Sequence, residues 1–132
     1  MKRRTFLIAT GLLGGGAGLA TLIVTRGGRD ASRQRIVDAA RTLAADPEVR
    51  AVGRACLDGP MAGLDEDALI EEIAGALPAV EPQTTPDRTM AALLERIQAD
   101  FEQEATVSAA GWVLSGTEAR VCALAALLEP VR

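Results

Sequence analysis

Cys56 and Cys122 are the only two thiols of a 132-residue chain that has no His and no Tyr. That removes any mechanism needing an imidazole base, a histidine metal ligand or a tyrosyl acid, and leaves sulfur, carboxylates with Arg, and hydroxyls with no imidazole beside them. Two thiols 66 positions apart, without His, make no recognisable metal-ligand set. Both lie on expected apolar helix faces. They read either as a disulfide pair in an oxidising compartment or as two buried cysteines acting as small hydrophobes.

Carboxylates are the second candidate. Asp65, Glu66, Asp67, Glu71 and Glu72 form a cluster, but their spacing does not match a twelve-residue calcium loop. Acids in the first turn of a helix follow from its dipole alone. A small carboxylate enzyme would need two acids with displaced titration in one pocket, and Asp65, Asp67, Asp100 and Glu102 are the candidates. Ser115 has no Gly-x-Ser-x-Gly setting and reads as a helix cap. Gly14-Gly15-Gly16 has no preceding strand and no following Lys-Ser or Lys-Thr, so it is no phosphate loop. No catalytic, metal or cofactor site is expected.

Trp112 is the only Trp. It stands beside an expected turn, where it either packs under the helices or is exposed as a partner contact.

The elements that would hold these residues divide into a leader and a body. Before Asp30 there are five basic residues and no acidic one, and from Asp30 onward nine Arg face eighteen Asp and Glu. The leader is thus +5 and the body −9. A body this acidic, without a basic stripe, argues against nucleic-acid binding, where cations must neutralise phosphates.

Residues 5–25 carry no charge and follow Lys2-Arg3-Arg4. At Arg3-Arg4-Thr5-Phe6-Leu7 the leader resembles the twin-arginine (Tat) signal, in which an Arg pair, any residue, Phe and Leu precede a modestly hydrophobic stretch. Lys2 departs from that pattern where Ser or Thr is common, and Ile8 where Lys is common. Gly11, Gly14, Gly15, Gly16 and Gly18 weaken the stretch as a membrane helix, at about 1 kcal/mol each. The alternative is an ordinary secretory signal or a plain anchor. No Ala-x-Ala site follows Val24, and twenty-one uncharged residues at about 1.5 Å each would just cross a hydrocarbon core of about 30 Å. A leader left uncleaved would tether the body to the membrane. The resemblance implies a transient encounter with the Tat translocase and a periplasmic or other extracytoplasmic destination.

The body, residues 30–132, reads as one small exported helical domain. Ile36, Val37, Ala40, Leu43 and Ala44 predict a first helix from Asp30 to Ala45, capped by Asp30 or Ser32. Asp46-Pro47-Glu48 opens a second that buries Val49, Val52, Gly53 and Cys56 and ends at Asp58. Asp65 opens a third, with Leu69, Ile70, Ile73 and Leu77 inward and Pro78 stopping it. Residues 79–85 are a loop. Thr85-Pro86-Asp87 opens a fourth, with Met90, Leu93, Leu94, Ile97 and Phe101 on one stripe and Asp100 off it.

Two β-type runs, 105–108 and 112–115, predict a hairpin turning at Ala109-Ala110-Gly111. Ser115-Gly116-Thr117-Glu118 matches a capping box for a last helix that buries Val121, Leu124, Ala125 and Leu128. The expected fold is mainly α: a small bundle of four to five helices with a short β-hairpin before the last helix, plus an N-terminal signal or anchor helix.

The segment Ile97 to Leu128, with Gly111-Trp112-Val113-Leu114-Ser115 and Thr117-Glu118-Ala119-Arg120, resembles small bacterial proteins with twin-arginine-type leaders. The likeness covers about the last third of the chain and carries over no catalytic or binding residue. In size and leader the chain is also similar to accessory subunits of Tat-exported periplasmic flavin dehydrogenases. The leading expectation is an exported, non-catalytic envelope protein that acts by binding another protein, with the accessory subunit of a larger exported oxidoreductase as the alternative. A small carboxylate enzyme is the second.

Overall fold

The computed structural model describes residues 2–3, 28–77 and 86–128. Arg4, Phe6 and Leu7 of the twin-arginine motif, the expected signal or anchor helix and the loop 79–85 lie outside them. The order is β1 (Lys2–Arg3), α1 (Gly28–Leu43), α2 (Pro47–Asp58), α3 (Glu66–Ala76), α4 (Pro86–Glu102), β2 (Thr106–Ala109), β3 (Trp112–Ser115) and α5 (Gly116–Leu127). Helix accounts for 72% of these residues, and the hairpin precedes the last helix as the β-type runs predict.

Local chemistry explains most boundaries. Asp46, in extended backbone, caps α2 by accepting from the Glu48 N–H, and Pro47 occupies a first-turn position where its missing N–H costs nothing. Asp65 caps α3 by accepting from Ala68 N–H at 2.8 Å. The first helix departs from expectation at its start. It runs back through Asp30 to Gly28, so Asp30 and Ser32 lie inside it and neither is its cap. Adding a turn to an existing helix is easier than nucleating one, so a mid-helix Asp or Ser need not end it.

The hairpin pairs Ala109 with Trp112 and Thr106 with Ser115 in antiparallel register. Its turn is shorter than expected. Ala109 joins β2, leaving Ala110 and Gly111 as the two turn residues, at φ 53° and 80°. Two consecutive left-handed residues are what a type I′ turn requires, and its twist matches the strands. The sheet also has a third member: β1 lies parallel to β3 on its other edge, Lys2 opposite Trp112 and Arg3 opposite Val113.

The core forms around α5. All four other helices and the hairpin pack against it, and from Gly116 to Ala126 every residue except Arg120 is buried. The expected inward face of Val121, Leu124, Ala125 and Leu128 is therefore only part of what is covered. A helix surrounded on all sides has no solvent face to pattern. Its small residues, among them Ala119, Ala123 and Ala125, let neighbours approach closely. Ile36, Leu43, Val49, Leu69, Ile73, Leu93 and Ile97 fill the space around it.

Candidate functional site

Among the described residues, buried polar groups concentrate where α4 and β3 meet the N-terminus of α5. Asp100, Ser115, Thr117 and Glu118 are each at most 2% exposed. The first three N–H groups of α5, which no helical carbonyl can reach, are all accounted for. Gly116 N–H donates to the Ala105 carbonyl at 2.9 Å, Thr117 N–H to Asp100 Oδ2 at 2.9 Å, and Glu118 N–H to Ser115 Oγ at 2.8 Å. Ala105 is itself held by donating to the Asp100 carbonyl at 2.7 Å. Ser115 is thus a helix cap, as its sequence setting indicates.

Asp100 is the residue the sequence pattern misplaces. The buried line on α4 runs Thr89, Leu93, Ile97, Asp100, so the carboxylate faces inward, while Met90 and Phe101 pack partly against the core. Arg96 Nε stands 3.0 Å from Asp100 Oδ1. One oxygen therefore faces a cation one turn back on the same helix and the other a backbone amide at the positive end of the next helix. The clue in the sequence is Arg96 four residues before Asp100, a helical ion-pair spacing.

Glu118 links this cluster to the two thiols. Cys56 and Cys122 are free, and neither has any solvent exposure. One lies on α2 and the other on α5, in the interior of the domain. Burial pushes the Cys56 thiol up to about 11, with the Glu118 charge adding to the effect. Cys122 is raised well above the ordinary thiol range by burial first, then by Glu118 and then by Cys56. Thiolates are the nucleophilic and metal-binding form, so thiols held neutral and out of water are chemically quiet in the folded domain.

The remaining candidates sit apart. Asp65 is the α3 cap, and Arg33 pairs with Asp67 at 3.0 Å and with Glu71. Glu72 meets Arg120 at 3.1 Å. Glu66 and Glu102 are exposed. Of the four acids considered for a carboxylate enzyme, Asp65, Asp67 and Asp100 are each committed to a cap, an ion pair or a buried amide. Trp112 is half-buried and packs against the core beside the paired Lys2 and Ala109 backbones. Among the described residues no group of three or more Cys, Asp or Glu is placed to hold a metal ion, and no helix is long and apolar enough to cross a membrane.

No family model, no curated protein and no solved structure matches the chain.

Proposed function

We propose that the chain is an exported, non-catalytic envelope protein that works by binding another protein. The observation that carries the export half is Arg3-Arg4 directly ahead of twenty-one uncharged, glycine-rich residues that open with Thr5-Phe6-Leu7, followed by an acidic body. The leader meets the Tat translocase transiently, and the body acts outside the cytoplasm, tethered to the membrane for as long as the leader is uncleaved.

The binding half draws support from what the candidate polar groups and the thiols are doing. Asp100, Ser115, Asp65 and Asp67 each hold a structural partner, and the thiols are neutral and enclosed. What is left facing outward is mainly acidic: Glu48, Asp58, Glu66, Glu95, Glu102 and Glu104 are exposed against Arg41, Arg54 and Arg88. A surface of that sign favours a partner with a basic face and speeds its approach at low salt.

The test is affinity capture of a C-terminally tagged full chain from detergent-solubilised envelopes, beside the double variant Arg3→Lys/Arg4→Lys, with retained proteins identified by mass spectrometry. The expected result is one exported protein in equal amount, lost in the variant. If that protein is a large oxidoreductase, the chain is its accessory subunit. A chain that reaches the envelope equally well in the variant, or comes back alone, overturns the export half or the binding half respectively.

A further inference from the structure

We infer that Cys56 and Cys122 form a disulfide site that folding closes to oxidants, so that the bond is made only in a chain that meets an oxidising disulfide before α5 docks in the core. The site is built by a helix crossing. A Cβ added at Gly53 would stand 1.9 Å from the Cys122 carbonyl oxygen and 2.9 Å from Ala126 Cβ, so the backbones of α2 and α5 touch there. Helical Cα atoms stand about 2.3 Å off the helix axis, so facing Cα atoms of two helices in backbone contact come within the roughly 4.4–6.8 Å that a disulfide joins.

Side-chain direction completes the argument. Helical Cα–Cβ bonds tilt toward the helix N-terminus, so Cys122 points from the crossing back toward Glu118. Cys56 lies one turn beyond Gly53 along α2, and Glu118 acts on both thiols while Cys56 acts on Cys122. The two sulfurs therefore converge on the same side of the crossing, where neither residue has any exposed surface.

Making the bond takes two exchanges. One cysteine loses its proton, and the thiolate attacks a disulfide such as oxidised glutathione, leaving a mixed disulfide and expelling one glutathione thiolate. The second cysteine then attacks the mixed disulfide, closes Cys56 to Cys122 and expels the second glutathione. The protein loses two electrons and two protons, and one disulfide becomes two thiols. Both steps need a thiolate and room for a bulky third sulfur, and the folded core offers neither. In the unfolded chain both obstacles vanish.

The consequence for export rests on the function proposed above. A domain that folds in the reducing cytoplasm and crosses folded arrives with free thiols, while one threaded through unfolded arrives able to form the bond.

The experiment uses the purified, reduced full chain in detergent, exposed to oxidised glutathione either folded or in urea followed by refolding, with alkylation and intact mass as readout. Folded chain is expected to keep both thiols, reacting at least about 100-fold more slowly than unfolded chain. Refolded chain is expected to lose two hydrogens, to yield linked Cys56 and Cys122 peptides, to regain its helical signal and to unfold at higher urea. Cys56→Ser and Cys122→Ser should each carry one glutathione instead. Equal reactivity of folded chain, two glutathione adducts without a bridge, or a bridged chain lacking native helix would overturn the proposal. Thiol state in envelope fractions separates this from the export reading: a bridged chain there counts against folded export and leaves the site's chemistry standing.

Discussion

The Asp100 carboxylate, near the end of α4, accepts a hydrogen bond from the backbone N–H of Thr117 at 2.9 Å and so caps the central helix from its neighbour. Asp100 is only 2% exposed, and removing it leaves a buried amide without its acceptor and the Arg96 guanidinium without its counter-charge. Asp100→Ala should lose about 2–4 kcal/mol of stability. Asp100→Asn, which keeps an acceptor and loses the charge, should lose about half of that. Urea unfolding at pH 7 checks this, and two variants within about 0.5 kcal/mol of the parent would show that the amide is satisfied elsewhere.

Gly53 and Gly75 make a paired test of backbone contact. Alanine is favoured over glycine by about 1 kcal/mol inside a helix. At Gly75 nothing lies within 4 Å of the added methyl, so Gly75→Ala should stabilise by about 0.5–1 kcal/mol. At Gly53 the methyl would meet the Cys122 carbonyl, which cannot swing aside as a flexible side chain can. Gly53→Ala should therefore cost about 3 kcal/mol or more despite its propensity. Thermal unfolding of both variants decides, and a neutral Gly53→Ala would mean that α2 and α5 are not in backbone contact.

Alkaline pH should weaken the fold through its thiols. Cys56 is raised from 9.0 to about 11, so between those values the unfolded chain gives up a proton that the folded chain retains. Stability is then complete below about pH 9 and falls as pH rises toward 11, by about 2–3 kcal/mol for Cys56. Cys122 shifts in the same direction and adds to the fall. With no Tyr and Lys2 as the only lysine, few other groups titrate in this window. Urea midpoints from pH 8 to 11 should fall less steeply in Cys56→Ala than in the parent. Equal slopes would place the cause elsewhere.

Ala110 sits at φ 53° in the hairpin turn, a conformation that costs a residue bearing a Cβ about 1–2 kcal/mol and suits Asn better. Ala110→Asn creates the preferred Asn-Gly pair and should raise stability by about 0.5–1 kcal/mol. Thermal midpoints provide the comparison, and a lower midpoint would show that the small side chain is needed there.

Much of this domain is written locally. Asp46-Pro47, Asp65 and Ser115 announce helix starts because a cap needs only an oxygen within three residues of the amide it accepts from. Val49, Val52 and Cys56, or Leu69, Ile70 and Ile73, announce buried faces because period and burial coincide on a helix covered from one side. The hairpin follows from β-type runs flanking a glycine. The split between basic leader and acidic body needs no structure at all.

The rest depends on neighbours distant in sequence. The burial of α5 all round leaves no periodic mark, since a helix enclosed by four others has no polar face to contrast with an apolar one. Asp100 reads as a surface acid until α5 brings an unsatisfied amide to it. Gly53 reads as a weak point in α2 until Cys122 presents its carbonyl at that spot. Caps and faces are decided by residues within one or two turns, so sequence alone determines them. Buried charge, backbone crossings and the meeting of two cysteines 66 positions apart are decided by which helices touch, and only packing around a common core settles that.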